Sequence, residues 1–435
     1  MSSGGDKKSP ATEQGVYKKT LLPNGIRVVT EEIPYVRSVS VGVWVNVGSR
    51  DENERNNGIS HFIEHMVFKG TKRYSIQQIA RSLESVGGYL NAFTSKEHTC
   101  FYARTLDEHL PKAVDVLSDL VQHPLIEKKE LEKEKSVVLE ELKNIEDDPD
   151  DLIHDYLDEH VYYKHPLGFP VIGRAENIRS FNKEDLLVYC HRHYASNRLV
   201  VAAAGNLKHE ALVELVRGCF RSNHVNGASP RRSLVTKSTK GSTLVFERPI
   251  SQAHVCLGTI GYSVKSRNRF PMLVLNTLLG EGMSSRLFQN IREKYGFAYS
   301  VYSFANLLSD TGSFGVYIGT DKQNIDNSIE LIHKELDRLR SKPVGAAELK
   351  RTKAQLKGTM MLSLESMSSR MMRLGSGEMY LGEFVPLNAI LRKVEAVDAG
   401  DVMDLANQLF RLENFSTIIF KPSAGTATAD RKAAA

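Results

Sequence analysis

Two histidines and a glutamate are spaced so that one turn of helix would bring them together. His61, Glu64 and His65 stand in the segment H-F-I-E-H, and at about 100° per residue their side chains share an arc of about 100°. Histidines four residues apart can bind one zinc ion, and the glutamate between them can act as a general base towards water. The pattern is the inverse of the commoner H-E-x-x-H motif. Three such residues can also share a helix by chance, so the hypothesis needs a third ligand.

The residues around this motif predict a helix with one buried side. Valines alternate with other residues over 39–47, which predicts a strand, and a charged loop with Asn and Gly over 48–58 follows it. The helix then begins near Ile59. Its apolar residues fall on the side away from the motif: Ile59, Phe62, Ile63, Met66 and Val67. The helix can therefore bury one face and present the imidazoles and the carboxylate from the other.

A second helix, predicted over 127–145, offers the missing carboxylate. Its apolar stripe consists of Leu131, Val138, Leu142 and Ile145. Glu134 and Glu141 lie on one edge of that stripe, whereas most of the other glutamates fit a solvated face. One of these two could be the third ligand and the other could orient it. Helical geometry alone does not say which does which.

The predicted elements repeat in the second half of the chain. In the first half we expect helices over 76–86 and 107–122 and strands over 89–93 and 99–104. In the second half we expect strands over 253–260, 298–304 and 312–318, and helices over 270–279, 284–294 and 325–339. The strand pair that follows a glycine, together with the helix after it, recurs in 88–121 and 296–339. The order indicates duplication of one unit.

The fold class predicted from this order is α+β, with two homologous domains that each pack helices on a mostly antiparallel sheet. The first domain is expected over 16–221 and carries the metal motif. A polar, basic linker is expected over 222–240, and the second domain over 241–421. The polar ends, 1–15 and 422–435, are expected to be disordered.

Composition narrows the function classes. The 57 basic and 52 acidic residues are spread along the chain without a basic arm, so nucleic acid is not an expected partner. The four cysteines form no C-x-x-C pair, which favours reduced structural thiols. The sequence contains neither an apolar stretch of membrane-spanning length nor a secretory signal, so a cytoplasmic location is expected. Six methionines between Met360 and Met379 are at helical spacing and predict core or domain packing.

Longer motifs bring a family resemblance. G-I-S-H-F-I-E-H-M-V-F-K-G-T, followed by E-K-S-V-V-L-E-E-L, resembles the signature of the pitrilysin and mitochondrial-processing-peptidase superfamily of zinc metallopeptidases, and its bacterial single-chain members most closely. The resemblance implies that His61, His65 and Glu141 bind zinc and that Glu64 is the general base. It matches Glu134 to a further acidic residue of the family site. The second half has no counterpart of the two histidines, so one Zn²⁺ per chain is predicted.

Two further matches imply substrate contacts. N-A-F-T-S-K-E-H-T resembles the strand with which the family binds substrate as an added β-strand, and it implies a substrate-binding role for Asn91, Ala92, Phe93 and Thr94. G-E-G-M-S-S-R-L-F-Q-N-I-R-E-K-Y-G-F-A-Y-S resembles the motif of the family's second half. There an arginine and a tyrosine face the zinc site. The match implies that Arg292 engages a substrate carbonyl and that Tyr299 stabilises the oxyanion.

The resemblance as a whole implies a zinc metalloendopeptidase that cleaves unfolded peptides or presequence-like segments inside an enclosed chamber. Because this chain carries both sets of residues, a homodimer is expected rather than an obligate heterodimer. The alternative is a noncatalytic scaffold or binding subunit of a processing-peptidase-like complex. Such a subunit should have lost a ligand or the base, and His61, Glu64, His65 and Glu141 are all present in the sequence.

Overall fold

The chain folds into two domains, each built from a sheet and the helices that cover it. The computed structural model describes residues 15–221, 232–235 and 241–423. The expected disorder over 1–15 and 422–435 and the expected linker over 222–240 therefore fall almost wholly outside the described residues. Among the described residues, no helix is both long enough and apolar enough to cross a membrane.

The first sheet has six strands. They are β1 (Val16–Leu21), β2 (Arg27–Glu32), β3 (Ser38–Val45), β4 (Tyr89–Thr94), β5 (Thr99–Leu106) and β6 (Leu199–Gly205). They are arranged in the order β1-β2-β6-β3-β5-β4, with β2 and β6 parallel and every other pair antiparallel. Strand β4 therefore forms one edge of this sheet.

Eight helices belong to the first domain. They are α1 (Ile59–Val67), α2 (Ile76–Glu84), α3 (Leu110–Gln122), α4 (Lys128–Asp147), α5 (Pro149–Val161), α6 (Ala175–Ser180), α7 (Lys183–His193) and α8 (His209–Cys219). Helix α4 ends at Asp147, because Asp148 precedes Pro149 and the residue before a proline disfavours the helical conformation. The Asp148 side chain accepts the N–H of Asp150 and so caps the start of α5.

The second domain repeats the arrangement with five strands. They are β7 (Thr243–Arg248), β8 (Ala253–Ile260), β9 (Ala298–Leu307), β10 (Gly312–Thr320) and β11 (Ser416–Pro422). Their order is β7-β11-β8-β10-β9, and only β7 and β11 are parallel. This order matches β2-β6-β3-β5-β4 strand for strand. The predicted fold class is confirmed, and the shared topology supports the predicted duplication.

The helices of the second domain occur in a similar order along the chain. They are α9 (Arg269–Gly280), α10 (Ile325–Ser341), α11 (Ala346–Ser363), α12 (Met367–Leu381), α13 (Leu387–Ala396) and α14 (Ala399–Leu409). The helix expected over 284–294 is a short helical segment whose turns over Phe288–Glu293 are π-helical. Such wide turns are often associated with functional sites.

One helix of each domain packs against the sheet of the other domain. Helix α5 of the first domain packs Ile153 and Leu157 against the second sheet, where Phe420 is fully buried. Helix α12 of the second domain packs Met371 and Leu374 on the first sheet beside Trp44. A Cβ atom on Gly375 of α12 would lie 2.1 Å from the Trp44 ring, so this close approach requires glycine. Met367 and Met371 of α12 are buried, whereas Met361 of α11 is 45% exposed, so the predicted packing role applies to only part of this methionine-rich segment.

Candidate metal centre

Helix α1 is capped by a carboxylate that lies outside the helix. Gly58 immediately precedes α1 and has a φ of +97°. A Cβ atom at this position would lie 2.7 Å from the backbone of Gly173. Glu52 accepts the N–H groups of Gly58 at 2.8 Å and Ser60 at 2.9 Å. Its carboxyl group therefore lies at the positive end of the helix. Burial raises the pKa of Glu52 to about 7, while these hydrogen bonds act in the opposite direction.

The burial of α1 follows its sequence pattern. Ile59, Phe62, Ile63, Met66 and Val67 are buried, and the three residues of the motif are only partly covered. The helix contacts β4 on one side and α4 on another. The motif therefore faces the edge strand β4 and the glutamate-rich helix α4, as the proposed site requires.

His61, His65 and Glu141 form a compact donor cluster. Glu141 Oε1 lies 3.7 Å from His61 Nε2, and Glu141 Oε2 lies 3.4 Å from His65 Nε2. One donor atom from each residue lies within 4.8 Å of those of the other two. Zinc binds nitrogen and oxygen at about 2.0 to 2.2 Å, so tetrahedral donors are about 3.4 Å apart. These residue types and distances fit a zinc ion.

Glu134 contacts the other nitrogen of His65. Its Oε1 lies 2.9 Å from His65 Nδ1, and its Oε2 forms a 2.7 Å ion pair with Lys69 Nζ. Glu134 is buried, whereas Glu141 is half-exposed. The structure thus separates two glutamates that helical geometry had left equivalent. Glu134 fixes the His65 ring so that Nε2 faces Glu141, which is how outer carboxylates orient metal-binding imidazoles.

The two imidazoles differ in their affinity for protons. Burial lowers the pKa of His61 to about 4, and the neighbouring His65 adds to this effect. Burial would also lower the pKa of His65, but hydrogen bonds to Glu134 and Glu141 outweigh it and raise that pKa to about 9. Without a metal the cluster therefore holds a proton between His65 and the carboxylates. A divalent cation would replace that proton, because imidazoles bind metals in their neutral form.

Glu64 is held by the last residue of the edge strand. Thr94 Oγ1 donates to Glu64 Oε2 at 2.6 Å. Burial raises the pKa of Glu64, and this hydrogen bond partly opposes the shift. A carboxylate that is desolvated yet fixed in position is suited to accept and return a proton.

The four residues predicted to bind substrate lie on β4. Asn91 is exposed, and Ala92, Phe93 and Thr94 are half-buried. Asn91 Oδ1 accepts the N–H of Ala92 at 2.8 Å. Because β4 is the end strand of its sheet, one row of its main-chain groups faces away from β5. An extended peptide could pair with that row.

Arg292 and Tyr299 lie together but apart from the metal cluster. The Arg292 guanidinium carbon is 5.7 Å from the centre of the Tyr299 ring, and Tyr299 is 75% exposed. Within the described residues, neither makes a hydrogen bond or ion pair to the first domain. The structure therefore places the pair together on the second domain, with the Tyr299 side chain exposed.

A buried ion network was not expected from the sequence. Arg50 Nη1 lies 2.7 Å from Glu97 Oε1 and 2.6 Å from Asp310 Oδ1. Arg232 adds an ion pair with Asp51 at 2.8 Å. The network joins the loop before α1 and the turn after β4 to the β9–β10 turn of the second domain. Only the charged character of the 48–58 loop hinted at it.

Comparison with known proteins places these features in a family. Residues 27–175 match the family model described as insulinase (peptidase family M16), and residues 180–356 match the peptidase M16 inactive domain. The chain is 42% identical over 408 residues to the uncharacterized zinc protease YmxG of Bacillus subtilis, covering 94% of this chain and 99% of that one. It is 38% identical over 401 residues to an uncharacterized zinc protease of Streptomyces coelicolor, covering 91% and 87%.

Solved structures share the fold. A protease from Helicobacter pylori superposes with a TM-score of 0.87 at 22% identity, covering 94% of this chain and 100% of that one. A peptidase M16 inactive domain from Pseudomonas fluorescens also gives a TM-score of 0.87, at 19% identity, covering 94% and 98%. At these identities the likeness concerns the fold alone.

Proposed function

Because the chain belongs to peptidase family M16, the insulinase family within the pitrilysin-like superfamily, we propose that it is a zinc-dependent endopeptidase acting on unfolded peptides or presequence-like segments. The proposal includes the division of the chain into a catalytic domain over 16–221 and a second domain over 241–421. The relatives named zinc proteases support the metal and the reaction class.

The observation that carries the proposal is the donor cluster of His61, His65 and Glu141, whose spacing fits a tetrahedral metal. When bound, Zn²⁺ would polarise the peptide carbonyl and acidify a water molecule. We assign one zinc to each chain. Helix α9 has the place of α1 in the second domain, and its sequence R-F-P-M-L-V-L-N-T-L-L-G has no histidine.

The chain's own residues would handle the proton. Glu64 accepts a proton from the attacking water and returns it to the leaving amine. Thr94 holds the Glu64 carboxylate, and Glu134 holds the ring of His65. The edge position of β4 supports main-chain pairing of the substrate with Asn91 to Thr94, which favours extended chains over folded proteins.

Arg292 and Tyr299 would complete the site from a second copy of the chain. The exposure of Tyr299, and the lack among the described residues of any hydrogen bond or ion pair from Arg292 or Tyr299 to the first domain, support this arrangement. Two copies facing one another would bring each Arg292–Tyr299 pair to the partner's metal cluster and enclose a chamber between them. Tyr299 would then stabilise the oxyanion, and Arg292 would engage a substrate carbonyl.

Metal analysis combined with a quenched-peptide assay tests the proposal. Purified wild-type protein should contain one zinc per chain and should lose peptide cleavage in the presence of a chelator. Glu64→Gln should retain zinc and lose most cleavage, because only the base is removed. A chain without zinc and without chelator-sensitive cleavage would instead be a noncatalytic scaffold.

A further inference from the structure

A small cavity lies beside the start of the edge strand β4, on the sheet face away from α1. Its volume is about 400 Å³, and it is lined by Tyr89, Tyr102, Arg104, Ser368, Ser369 and Met372. Tyr89 of β4 is paired directly with Arg104 of β5, so these two side chains share a face of the sheet. The first turn of α12 closes the other side.

Arg104 provides the positive charge of this cavity. Its side chain is exposed, and within the described residues it makes neither an ion pair nor a hydrogen bond. Among the described residues that line the cavity there is no carboxylate, and two tyrosines and two serines line it together with Arg104. A planar guanidinium binds a carboxylate through two parallel hydrogen bonds. The lining therefore suits an acidic group and disfavours a basic one.

The position of the cavity relates it to substrate. Thr94, at the end of β4, contacts Glu64 on the α1 side of the sheet, whereas Tyr89 and Phe93 face α12. A peptide added to β4 would direct alternate side chains to these two faces. Tyr89 lies five residues before Thr94, which corresponds to about 16 Å of strand. A side chain on the α12 face would reach the cavity about four to six residues from the cleaved bond.

We propose that the Arg104 cavity is a specificity subsite for an acidic side chain of the peptide substrate at that distance from the cleaved bond. The inference rests on the proposed function, because it assumes that β4 pairs with the substrate. It adds a preference that neither the metal cluster nor the Arg292–Tyr299 pair provides.

A peptide series tests the subsite. Quenched peptides would differ only in carrying Glu, Gln or Lys at one position, moved from about three to about seven residues on either side of the cleaved bond. For the wild-type chain we expect Glu to raise kcat/KM about three- to tenfold over Gln at one of these positions. Arg104→Gln should abolish this preference, Arg104→Lys should retain part of it, and Arg104→Glu should favour Lys. The matched control is Arg392→Glu, an exposed arginine on α13, which should leave the preference unchanged.

Binding of the same labelled peptides to Glu64→Gln separates the two proposals. Selective binding of the Glu peptide without cleavage by the wild-type chain would support the subsite and contradict the proposed function. Cleavage that is equally fast for Glu, Gln and Lys at every position would overturn the subsite and leave the proposed function intact. An equal change of preference in Arg104→Glu and Arg392→Glu would also overturn it, since general charge would then be the cause.

Discussion

The hydroxyl of Thr94 and the carboxylate of Glu64 are joined by a hydrogen bond of 2.6 Å. This contact links the end of the edge strand to the middle of the motif helix. A peptide that pairs with β4 would therefore lie against the strand that also holds the proposed base. In the proposed mechanism, substrate alignment and proton transfer would therefore depend on the same short segment.

Removal of this hydroxyl should reduce turnover. Thr94→Val keeps the shape of the side chain but removes the donor, and a hydrogen bond to a charged group is worth about 1.5 to 3 kcal/mol. We expect kcat to fall about tenfold to a hundredfold, with KM and zinc content little changed. Thr94→Ser keeps the hydroxyl and should retain most activity. Wild-type kcat in Thr94→Val would show that Glu64 needs no support from β4.

The metal cluster could be predicted from sequence because its information is local. The spacing of His61, Glu64 and His65 on one helix fixes their common face, and the wheel of α4 selects Glu134 and Glu141. Helical geometry left the roles of these two glutamates open, and only the family resemblance implied that Glu141 is the ligand. The hydrogen bond between His65 Nδ1 and Glu134 Oε1 is a long-range contact that no local pattern encodes. Capping by Glu52 was missed because no Ser, Thr, Asp or Asn stands at the start of α1, where Gly58 is found.

The elements of the fold could likewise be predicted from local patterns, but the packing between the domains could not. Alternating valines and repeated glycine-bounded strand pairs indicate two similar sheets. The spacing of the methionines also predicts that the segment containing α12 packs against the core or another domain, but it does not specify which sheet covers it, and α5 was not predicted. Only the structure shows that each helix crosses to the other domain. The position of Tyr299 relative to His61 likewise depends on how domains meet, which no local pattern encodes.

Loss of Arg50 should destabilise the protein strongly. Arg50 and Glu97 are both fully buried, and the Arg50 contact with Asp310 joins residues 260 positions apart. Removal of one partner of a buried ion pair typically costs about 3 to 5 kcal/mol, so Arg50→Met should lower the free energy of unfolding by roughly that amount. Chemical denaturation measures it.

The control for Arg50 is an exposed ion pair in the same domain. The Arg37 side chain is 74% exposed and forms a 3.2 Å pair with Asp107. Arg37→Met should cost less than about 1 kcal/mol. Equal losses in the two variants would show that the buried network contributes no more than a surface pair.

His193 should make the protein less stable in mild acid. It is buried and accepts a 2.7 Å hydrogen bond from Arg198. Burial, aided by the Arg198 charge, lowers the pKa of His193 from 6.5 to about 4. The unfolded chain therefore binds the proton more tightly, and stability that is present above pH 6.5 is lost as the pH falls towards 4. Between pH 7.5 and pH 5 this amounts to about 2 kcal/mol.

Denaturation of His193→Gln at both pH values checks this effect. The glutamine oxygen can accept the bond from Arg198 but does not titrate, so the variant should lose about 2 kcal/mol less than wild type between the two pH values. His191→Gln, two residues away at an exposed position on α7, should behave like wild type. A wild-type pH dependence in His193→Gln would assign the acid sensitivity to other groups.

Mixed dimers should reveal whether the site is shared between two chains. Glu64→Gln lacks the proposed base, and Tyr299→Phe lacks the proposed oxyanion donor, whose loss would cost about a hundredfold in kcat. Each variant alone should be nearly inactive. If each metal cluster is completed by Tyr299 of the other chain, a mixed dimer contains one complete site. Random pairing makes about half of the dimers mixed, so the co-expressed variants should regain about a quarter of wild-type activity.

A site contained within one chain gives a different result in the same experiment. A Glu64→Gln chain would then always lack the base and a Tyr299→Phe chain would always lack the donor, so mixing could restore nothing. Differently tagged chains allow the mixed species to be purified, and the double variant Glu64→Gln/Tyr299→Phe paired with wild type provides the control. In that pair every shared site would lack one group, so it should be almost inactive if sites are shared and about half as active as wild type if they are not.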